Sequence, residues 1–478
     1  MTSVDNDRKI EALLSDVRRG RISRRDLFKR GAALGISFGF LAKLSNDAAF
    51  AQVATPEAIT PGSTITMPAD LRTDLAGAEI TAVLAQDGPG VPWEEAALAK
   101  FTEVTGILVT RISGSQVADE RLASYLQVLN AQAGDIDVMQ IDVIWPGIVA
   151  PHAVDLTEAA SGVIGNHLEA LVQNNTVDGK LVGIPFYTDA GLLYRRTDLF
   201  EKYGIADAPA TWADLETAAK TIMDGERADG NAEMWGFVFQ GNSYEGLTTN
   251  ALEWQVSNGG GSIIEPDGTI SVNNPQAIAA IDRAAGWVGT IAPEGVTTYG
   301  EEEARGVWQG GNAAMMRNWP YAFSAGQAAD SPIRDKFDVS VLPMGDGEGA
   351  RNAATLGGWQ MMASQYSENQ DAAIELCKFL TSTEIQRSRA IELSNLPTIA
   401  SLYEDADVIA AQPFFGRLVE TFSGGAVVRP STVASSEYQT VSTAYSTAVH
   451  SVLTGGNDAA SAFGDLEGEL EEIMSELE

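Results

Sequence analysis

Apolar residues recur along the chain with two periods, which predict two kinds of secondary structure. Runs with a period of about two residues indicate β-strands, and longer stretches with a period of about 3.6 indicate amphipathic helices. The predicted strands are 79–85, 107–112, 136–143, 190–194, 235–240, 313–318, 337–343 and 358–363. The predicted helices are 93–104, 119–132, 212–223, 274–290 and 368–380, and the end of the chain is mostly helical. Strands that alternate with helices in this order predict an α/β fold.

Two local details add to this prediction. Thr211 and Asp214 stand at the first turn of helix 212–223, where a hydroxyl and a carboxylate can accept hydrogen bonds from free backbone N–H groups. Cys377 lies on the strongly periodic helix 368–380, so we expect it to be a small buried apolar residue.

Residues 1–51 differ in composition from the rest and predict an export signal. The sequence SRRDLFK at 23–29 is a twin-arginine pattern, residues 31–44 are apolar, and 49–51 provide the small residues of a cleavage site. A membrane-spanning helix needs about 20 apolar residues, whereas this stretch is shorter and ends at a lysine. We therefore expect a twin-arginine signal over 1–51, a flexible linker over 52–77, and a secreted protein in the periplasm or at the cell surface.

Charge and the scarcity of cysteine and histidine exclude several classes of function. The 478 residues carry 31 Lys+Arg against 65 Asp+Glu, and the net charge of −34 opposes binding to nucleic acids and to anionic membranes. One cysteine and three histidines cannot form an intrachain disulfide or a thiolate zinc site, and they leave little for a histidine metal centre. The sequence has no phosphate-binding loop and no zinc-protease or serine-hydrolase motif. We therefore expect no metal and no cofactor.

Aromatic and carboxylate residues recur where predicted strands end, which is where ligands bind in open α/β sheets. They are Asp142 and Trp145, Tyr187 and Asp189, Trp319 and Tyr321, and Trp359. Carbohydrates require this mixture, because the C–H face of a sugar ring packs on an aromatic ring while Asp, Glu and Arg hydrogen-bond the hydroxyl groups. The alternative for each residue is structural, since tryptophans also pack in cores and aspartates also cap turns.

Several segments, in the same order along the chain, resemble one known family. They are MQIDVIWPG (139–147), GIPFYTDAGLLYRRTDLFEKYG (183–204), the helix start at Thr211–Trp212, MMRNWPYAF (315–323), LGGW (356–359), LTSTEIQ (380–386) and NLPT (395–398). Over residues 78–470 the chain resembles the extracellular solute-binding proteins, family 1, of ABC transporters, and among them the maltose/trehalose-binding group.

The resemblance implies a two-lobed α/β fold, the type II periplasmic-binding-protein fold, in which the chain crosses three times between the lobes. The crossovers are expected near Asp189, near Gly357–Trp359 and near Asn395–Thr398. The expected amino-terminal lobe is 78–188 plus 358–398, and the expected carboxy-terminal lobe is 190–356 plus 400–478. The ligand would lie between the two lobes.

The resemblance also assigns roles to individual residues. Asp142, Tyr187 and Asp189 are expected to hydrogen-bond sugar hydroxyls, and Trp319 and Trp359 are expected to stack on pyranose faces. The other residues at matching ligand positions are Tyr321, Gly358, Arg429, Arg121 and Asp87, and further candidates are Gln116 and Trp145. The loop that contains Asp87 departs from the more acidic version that the family has.

The function that this resemblance implies is capture, and no enzymatic activity is expected. The protein would close like a hinge on a di- or oligosaccharide of the trehalose/maltose α-glucoside type and deliver it to the permease subunits of an ABC importer. We expect a monomer that meets the membrane only through the permease and binds no nucleic acid. Two alternatives stay open: the same fold with a polyamine, peptide or other polar solute, and a secreted glycoside hydrolase with Asp142 and Asp189 as its carboxylate pair.

Overall fold

The structure is a computed structural model of the chain, and it describes residues 60–84, 90–420 and 426–477. The predicted export signal, the first part of the predicted linker and Asp87 lie outside the described residues. None of the helices in the described ranges combines the length and the apolar character that a bilayer-spanning segment needs.

Two open β-sheets organise the described residues. The strands are β1 (Glu79–Leu84), β2 (Leu108–Ser113), β3 (Val138–Asp142), β4 (Thr176–Val177), β5 (Lys180–Leu181), β6 (Ile184–Ala190), β7 (Leu192–Arg196), β8 (Trp235–Val238), β9 (Ala313–Asn318), β10 (Phe337–Ser340), β11 (Ala354–Ala363) and β12 (Ala426–Val427). The first sheet has six of the described strands: five follow the order β12-β11-β3-β1-β2, and the sixth, β6, pairs with β11. In the second, four of them follow the order β10-β7-β9-β8, and β4 and β5 form a small ribbon.

Helices cover both sheets and confirm the local signals of the sequence. They are α1 (Gly90–Thr105), α2 (Ala118–Asn130), α3 (Pro146–Val149), α4 (Glu169–Asn174), α5 (Thr197–Lys202), α6 (Trp212–Ala228), α7 (Glu245–Ser257), α8 (Pro275–Trp287), α9 (Glu301–Gln309), α10 (Tyr321–Gly326), α11 (Gln370–Thr381), α12 (Thr383–Leu393), α13 (Ala406–Ala411), α14 (Phe415–Glu420), α15 (Ser431–Ala434), α16 (Tyr438–Leu453) and α17 (Ala459–Ser475). Thr211 and Asp214 form a reciprocal cap on α6, with N–H···O distances of 3.1 and 3.0 Å. Cys377 is buried in α11, and burial raises the pKa of its thiol.

Two elements that surround the site have no amphipathic pattern, and the sequence analysis does not predict them. Every residue of strand β6 is buried, and so is every residue of helix α7. An element with no solvent-exposed face has no regular alternation of polar and apolar residues, so periodicity is a weaker guide to its existence and type.

Between β1 and α14 the chain passes between the two sheets at three places, and it later returns to the first sheet at β12. Strand β6 belongs to the first sheet and continues through Gly191 into β7 of the second. The chain returns to the first sheet between β10 and β11. It leaves again after α12, whose Ile385 and Leu393 pack in the core of the first sheet, whereas Val408 and Phe414 pack with the second. These passages lie near the three expected crossovers, and the lobe boundaries drawn from them stay a prediction.

Residues 60–77, which the composition assigns to a flexible linker, pack against the helices of the first sheet. The N–H groups of Gly62 and Thr64 each donate to the Glu392 carboxylate at 2.8 Å, and Ile65 is buried in the core. The prolines and threonines of this segment are typical of linkers. The apolar residues between them instead contact a surface made by distant parts of the chain, which composition does not reveal.

Candidate ligand-binding cavity

A cavity of about 280 Å³ lies where strands of both sheets end, next to the starts of helices α2, α7 and α9. It is lined by the predicted ligand residues that the structure describes: Arg121, Asp142, Tyr187, Asp189, Trp319, Tyr321, Gly358, Trp359 and Arg429, together with Gln116. Trp145 is fully buried and lies behind this lining, with its ring 5.7 Å from the ring of Trp359 and perpendicular to it. The roles of these residues toward a ligand stay a prediction.

The register of three neighbouring strands explains why residues far apart in sequence meet here. Trp359 on β11 pairs with Asp142 on β3 and with Tyr187 on β6. Gly358, the residue before Trp359 on β11, lies opposite Thr188. Because paired residues of adjacent strands share a face of the sheet, this register places an indole between a carboxylate and a phenol.

Arg429 links carboxylates from the two sides of the cavity. Its Nη1 donates to Glu245 Oε1 at 2.6 Å, and its Nη2 lies 3.5 Å from Asp142 Oδ1 and donates to the Leu356 carbonyl at 3.2 Å. Arg429, Asp142 and Glu245 are all less than a tenth exposed. Glu245 also accepts hydrogen bonds from the hydroxyls of Tyr438 and Ser442, so it is held in place before any ligand arrives.

Burial raises the pKa of two carboxyl groups near Arg429, one of which is Asp142 itself. The pKa of Asp142 is raised to about 6 by burial, although the charge of Arg429 acts in the opposite direction. The pKa of Asp119, at the start of α2, is also raised to about 6, because of burial and the nearby charge of Glu245. Both groups therefore change charge in a pH range where most carboxylates are already ionised.

The Asp119→Asn variant is expected to remove part of the pH dependence of stability. Folded Asp119 keeps its proton up to about pH 6, whereas in the unfolded chain it releases it near pH 4. The folded state therefore binds more protons in this window, and the unmodified protein loses stability as the pH rises through it. Relative to the unmodified protein, we expect D119N to gain about 1 kcal/mol between pH 4 and pH 7 in urea unfolding.

The control for this pH experiment is Asp330→Asn, which changes an exposed carboxylate. Its effect on the free energy of unfolding is expected to stay below about 0.5 kcal/mol at each pH. Parallel stability curves for D119N and the unmodified protein would contradict the assignment.

Trp359 has a guanidinium group over its ring. The Cζ atom of Arg121 lies 4.5 Å from the ring centroid, and the Arg121 Nε donates to the Ser115 carbonyl at 2.7 Å. This cation–π contact covers one face of the indole. If Trp359 stacks on a pyranose, as the resemblance implies, it must use the opposite face.

Trp319 is held from three directions. The Arg317 guanidinium lies 3.9 Å from its ring centroid, its indole N–H donates to Glu301 at 3.2 Å, and its backbone N–H donates to Asn318 at 2.8 Å. A Cβ atom at Gly357 would lie 3.2 Å from the ring edge, so a small residue is needed there. The indole ring of Trp319 therefore has a fixed orientation at the cavity.

The remaining predicted residues have defined partners in the protein. The Tyr321 hydroxyl donates to Glu302 at 2.6 Å, and burial raises the pKa of this phenol well above its ordinary value. The Tyr187 hydroxyl accepts from the Gln140 amide at 3.3 Å. Gly358 has φ +136°, and a Cβ atom there would lie 2.6 Å from the Tyr187 carbonyl oxygen, so only glycine lets β6 and β11 approach.

Comparison with known proteins assigns the chain to a family. The model of the family described as bacterial extracellular solute-binding protein matches residues 86–387. The chain belongs to this family. A probable ABC transporter-binding protein of Deinococcus radiodurans is 49% identical to this solute-binding protein over 397 residues, which are 82% of this chain and 94% of that relative.

Solved structures resemble this solute-binding protein along most of its length. Maltose-bound MalE3 of T. maritima has 37% identity and a TM-score of 0.79, covering 83% of this chain and 100% of that one. A solute-binding protein of Thermotoga lettingae bound with alpha-D-tagatose has 23% identity and a TM-score of 0.75, with coverage of 83% and 100%. The predicted fold class, the two-lobed α/β fold of periplasmic binding proteins, is thereby confirmed. The family consists of binding proteins rather than enzymes.

The cavity of this solute-binding protein has further lining residues that were not predicted from the sequence as ligand residues. They are Val117, Ala118, Asn242, Tyr244, Glu245, Gly246, Thr249, Thr298, Gly300, Glu301, Glu302, Glu303, Gly357 and Asn395. Many of them stand just before or at a helix start, in α7 and α9. Three consecutive glutamates form the first turn of α9, which is a local signal for a helix start, whereas the buried α7 has only Glu245 in its first turn.

Proposed function

We propose that this solute-binding protein captures a di- or oligosaccharide of the trehalose/maltose α-glucoside type and delivers it to the permease subunits of an ABC importer. It would act as a monomer in the periplasm or at the cell surface, after export by the twin-arginine route. The name of the Deinococcus relative, an ABC transporter-binding protein, and the maltose in the T. maritima structure support the class of transporter and of ligand.

The observation that carries the proposal is the mixture of groups in one cavity. Aromatic rings of Tyr187, Trp319 and Trp359 face the same space as the carboxylates of Asp142 and Asp189. Rings supply apolar contact for the C–H faces of a sugar, and ionised groups form strong hydrogen bonds to its hydroxyls. A purely apolar ligand would leave the carboxylates unpaired, and a simple ion would not use the rings.

The position of the cavity supports capture by hinge closure. Arg429 connects Asp142, at the end of β3 in the first sheet, with Glu245, at the start of α7. The chain passes between the sheets close to the cavity, at Gly191 and before β11. A ligand that contacts both walls stabilises the closed arrangement by its differential affinity for that state.

A panel of ligands tests the proposed function. We expect trehalose, maltose or a related α-glucoside to change the intrinsic tryptophan fluorescence in a saturable way, with a Kd near ~1 μM. At a hundredfold excess over Kd, such a ligand stabilises the fold by about 2.7 kcal/mol, which a thermal-shift measurement detects.

Spermidine and a short peptide mixture serve as controls in the same panel. A response to spermidine with none to sugars would indicate that the ligand is a cationic solute rather than a sugar. Release of reducing sugar from an oligosaccharide would instead favour a hydrolase. Absence of both fluorescence and thermal responses to all sugars would contradict the proposal.

A further inference from the structure

We propose that the buried ion pair of Arg317 and Glu253 is a positioning element of the binding site. It holds the Trp319 ring at the cavity and ties this ring to two of the places where the chain passes between the sheets. The inference rests on the proposed function only in that Trp319 contacts the ligand. Because Arg317 and Glu253 are fully buried, they act on the ligand through Trp319 and are not themselves ligand contacts.

The pair has a fixed, two-pronged geometry. Arg317 Nη2 lies 2.5 Å from Glu253 Oε1, and Arg317 Nε lies 2.9 Å from Oε2. The remaining Nη1 donates to the Gln240 side-chain oxygen at 3.1 Å. A planar guanidinium that is bonded along two edges keeps its plane, which a single-point cation does not.

Arg317 transmits this geometry to the cavity. Its guanidinium lies 3.9 Å from the ring centroid of Trp319, whose indole lines the cavity. The face of the indole that meets Arg317 is thus packed on a rigid charged plane. The other face is the one that a sugar ring can contact.

Glu253 connects the same pair to two passages between the sheets. Its Oε1 accepts the backbone N–H of Thr355, near the start of β11, at 3.0 Å. A Cβ atom on Gly191, the residue between β6 and β7, would overlap Glu253 Oε1 and Arg317 Nη2. The backbone of one passage therefore packs directly on the pair, and that of the other is hydrogen-bonded to it.

A buried ion pair is weak evidence for net stability, because desolvation offsets much of the attraction. Burial raises the pKa of Glu253, and the charge of Arg317 opposes that rise. A pair that fixes three neighbouring groups is better explained by the geometry it imposes than by net stability.

Glu253→Gln tests the inference, since it keeps the shape of the side chain and removes its charge. We expect a loss of sugar affinity of about tenfold, because Arg317 loses its counter-charge and Trp319 its fixed backing. Affinity is measured by titration calorimetry with the α-glucoside that the unmodified protein binds, and Tm is recorded in parallel.

Asp198→Asn is the matched control. Asp198 pairs with Arg196, which is nearly buried on β7 of the same sheet, at 2.6 Å, and it lies outside the cavity lining. We expect D198N to lower Tm while the affinity stays within twofold. If E253Q behaves in the same way, with lower Tm and unchanged affinity, the pair is only structural and the inference is overturned.

A double-mutant cycle tests whether the pair acts through Trp319. E253Q combined with Trp319→Ala is expected to bind no more weakly than W319A alone, because the group that the pair positions is already missing. Losses that simply add would overturn the inference. Should E253Q not fold, Arg317→Lys carries the same test, since it keeps a charge beside Glu253 and removes the planar contact with the indole.

A readout without ligand separates this inference from the proposed function. Acrylamide quenching of tryptophan fluorescence is compared between the unmodified protein and Trp319→Phe, and the difference gives the contribution of Trp319. The same comparison is made in the E253Q and D198N backgrounds. If the contribution of Trp319 to quenching increases in E253Q but not in D198N, the inference is supported. This holds even if no sugar of the panel binds, in which case the proposed function alone fails. An unchanged contribution overturns the inference whatever the sugars do.

Discussion

Replacement of Arg429 by methionine is expected to lower the free energy of unfolding by about 3–5 kcal/mol at pH 7.5. The side chain is 3% exposed and lies between Asp142 and Glu245, which are themselves buried. Methionine keeps much of the volume but leaves two carboxylates in a poorly solvated place without the arginine that they share. Such uncompensated charges are among the few causes of destabilisation on this scale.

Urea unfolding at two pH values checks this prediction. At pH 5, below the pKa of about 6 that burial produces for Asp142, part of the unpaired charge is neutralised by a proton. The loss caused by R429M is therefore expected to be smaller at pH 5 than at pH 7.5.

The control for R429M is Arg334→Met, at a half-buried arginine whose pair with the exposed Asp335 is 3.6 Å long. Its expected effect is below about 1 kcal/mol. A loss below about 1 kcal/mol for R429M at pH 7.5 would show that water compensates the two carboxylates, and the described ion-pair geometry would be wrong.

Trp319→Ala is expected to weaken the binding of an α-glucoside about a hundredfold, or about 2.7 kcal/mol. The indole has a fixed orientation at the cavity. Its loss therefore removes apolar contact for the sugar, and no other side chain is expected to move in and restore that contact. Titration calorimetry measures the affinity, and Tm shows whether the variant is folded.

Trp235→Ala is a matched control for this loss of an indole. Trp235 also has an arginine over its ring, since Arg227 lies 4.4 Å from the centroid, but it is outside the cavity lining. We expect this variant to keep its affinity within threefold while its stability falls. An affinity of W319A within threefold of the unmodified protein would rule out the stacking role.

Much of the fold could be predicted because most elements have one solvent-exposed face and one buried face. Helices α2 and α8 were placed to within a few residues of their ends. Elements without a solvent-exposed face gave mixed results, since β6 and α7 were missed, whereas strands β3 and β9 are also fully buried and were predicted. The packing of residues 60–77 was missed for a related reason, because their partners, such as Glu392, are distant in sequence.

The candidate site could be predicted only in part. Residues at strand ends, such as Asp142 and Trp319, stand next to recognisable strands and carry a motif that resembles a family. Glu245 and Glu301 have no such context, since they reach the cavity from helix starts. The contact between Arg121 and Trp359 joins residues on a helix and a strand far apart in the chain, so no local pattern contains it.

The sequence alone determined which residue types were available for the site and several of the strands that carry them, such as β3, β9 and β11, because both follow from local periodicity and motif. Only the tertiary structure decided which face of each tryptophan is covered, which arginine neutralises which carboxylate, and where a buried pair touches the backbone between the sheets. Most of those features depend on distances between segments that are far apart in the chain. Such distances follow from packing in three dimensions, and a linear pattern does not contain them.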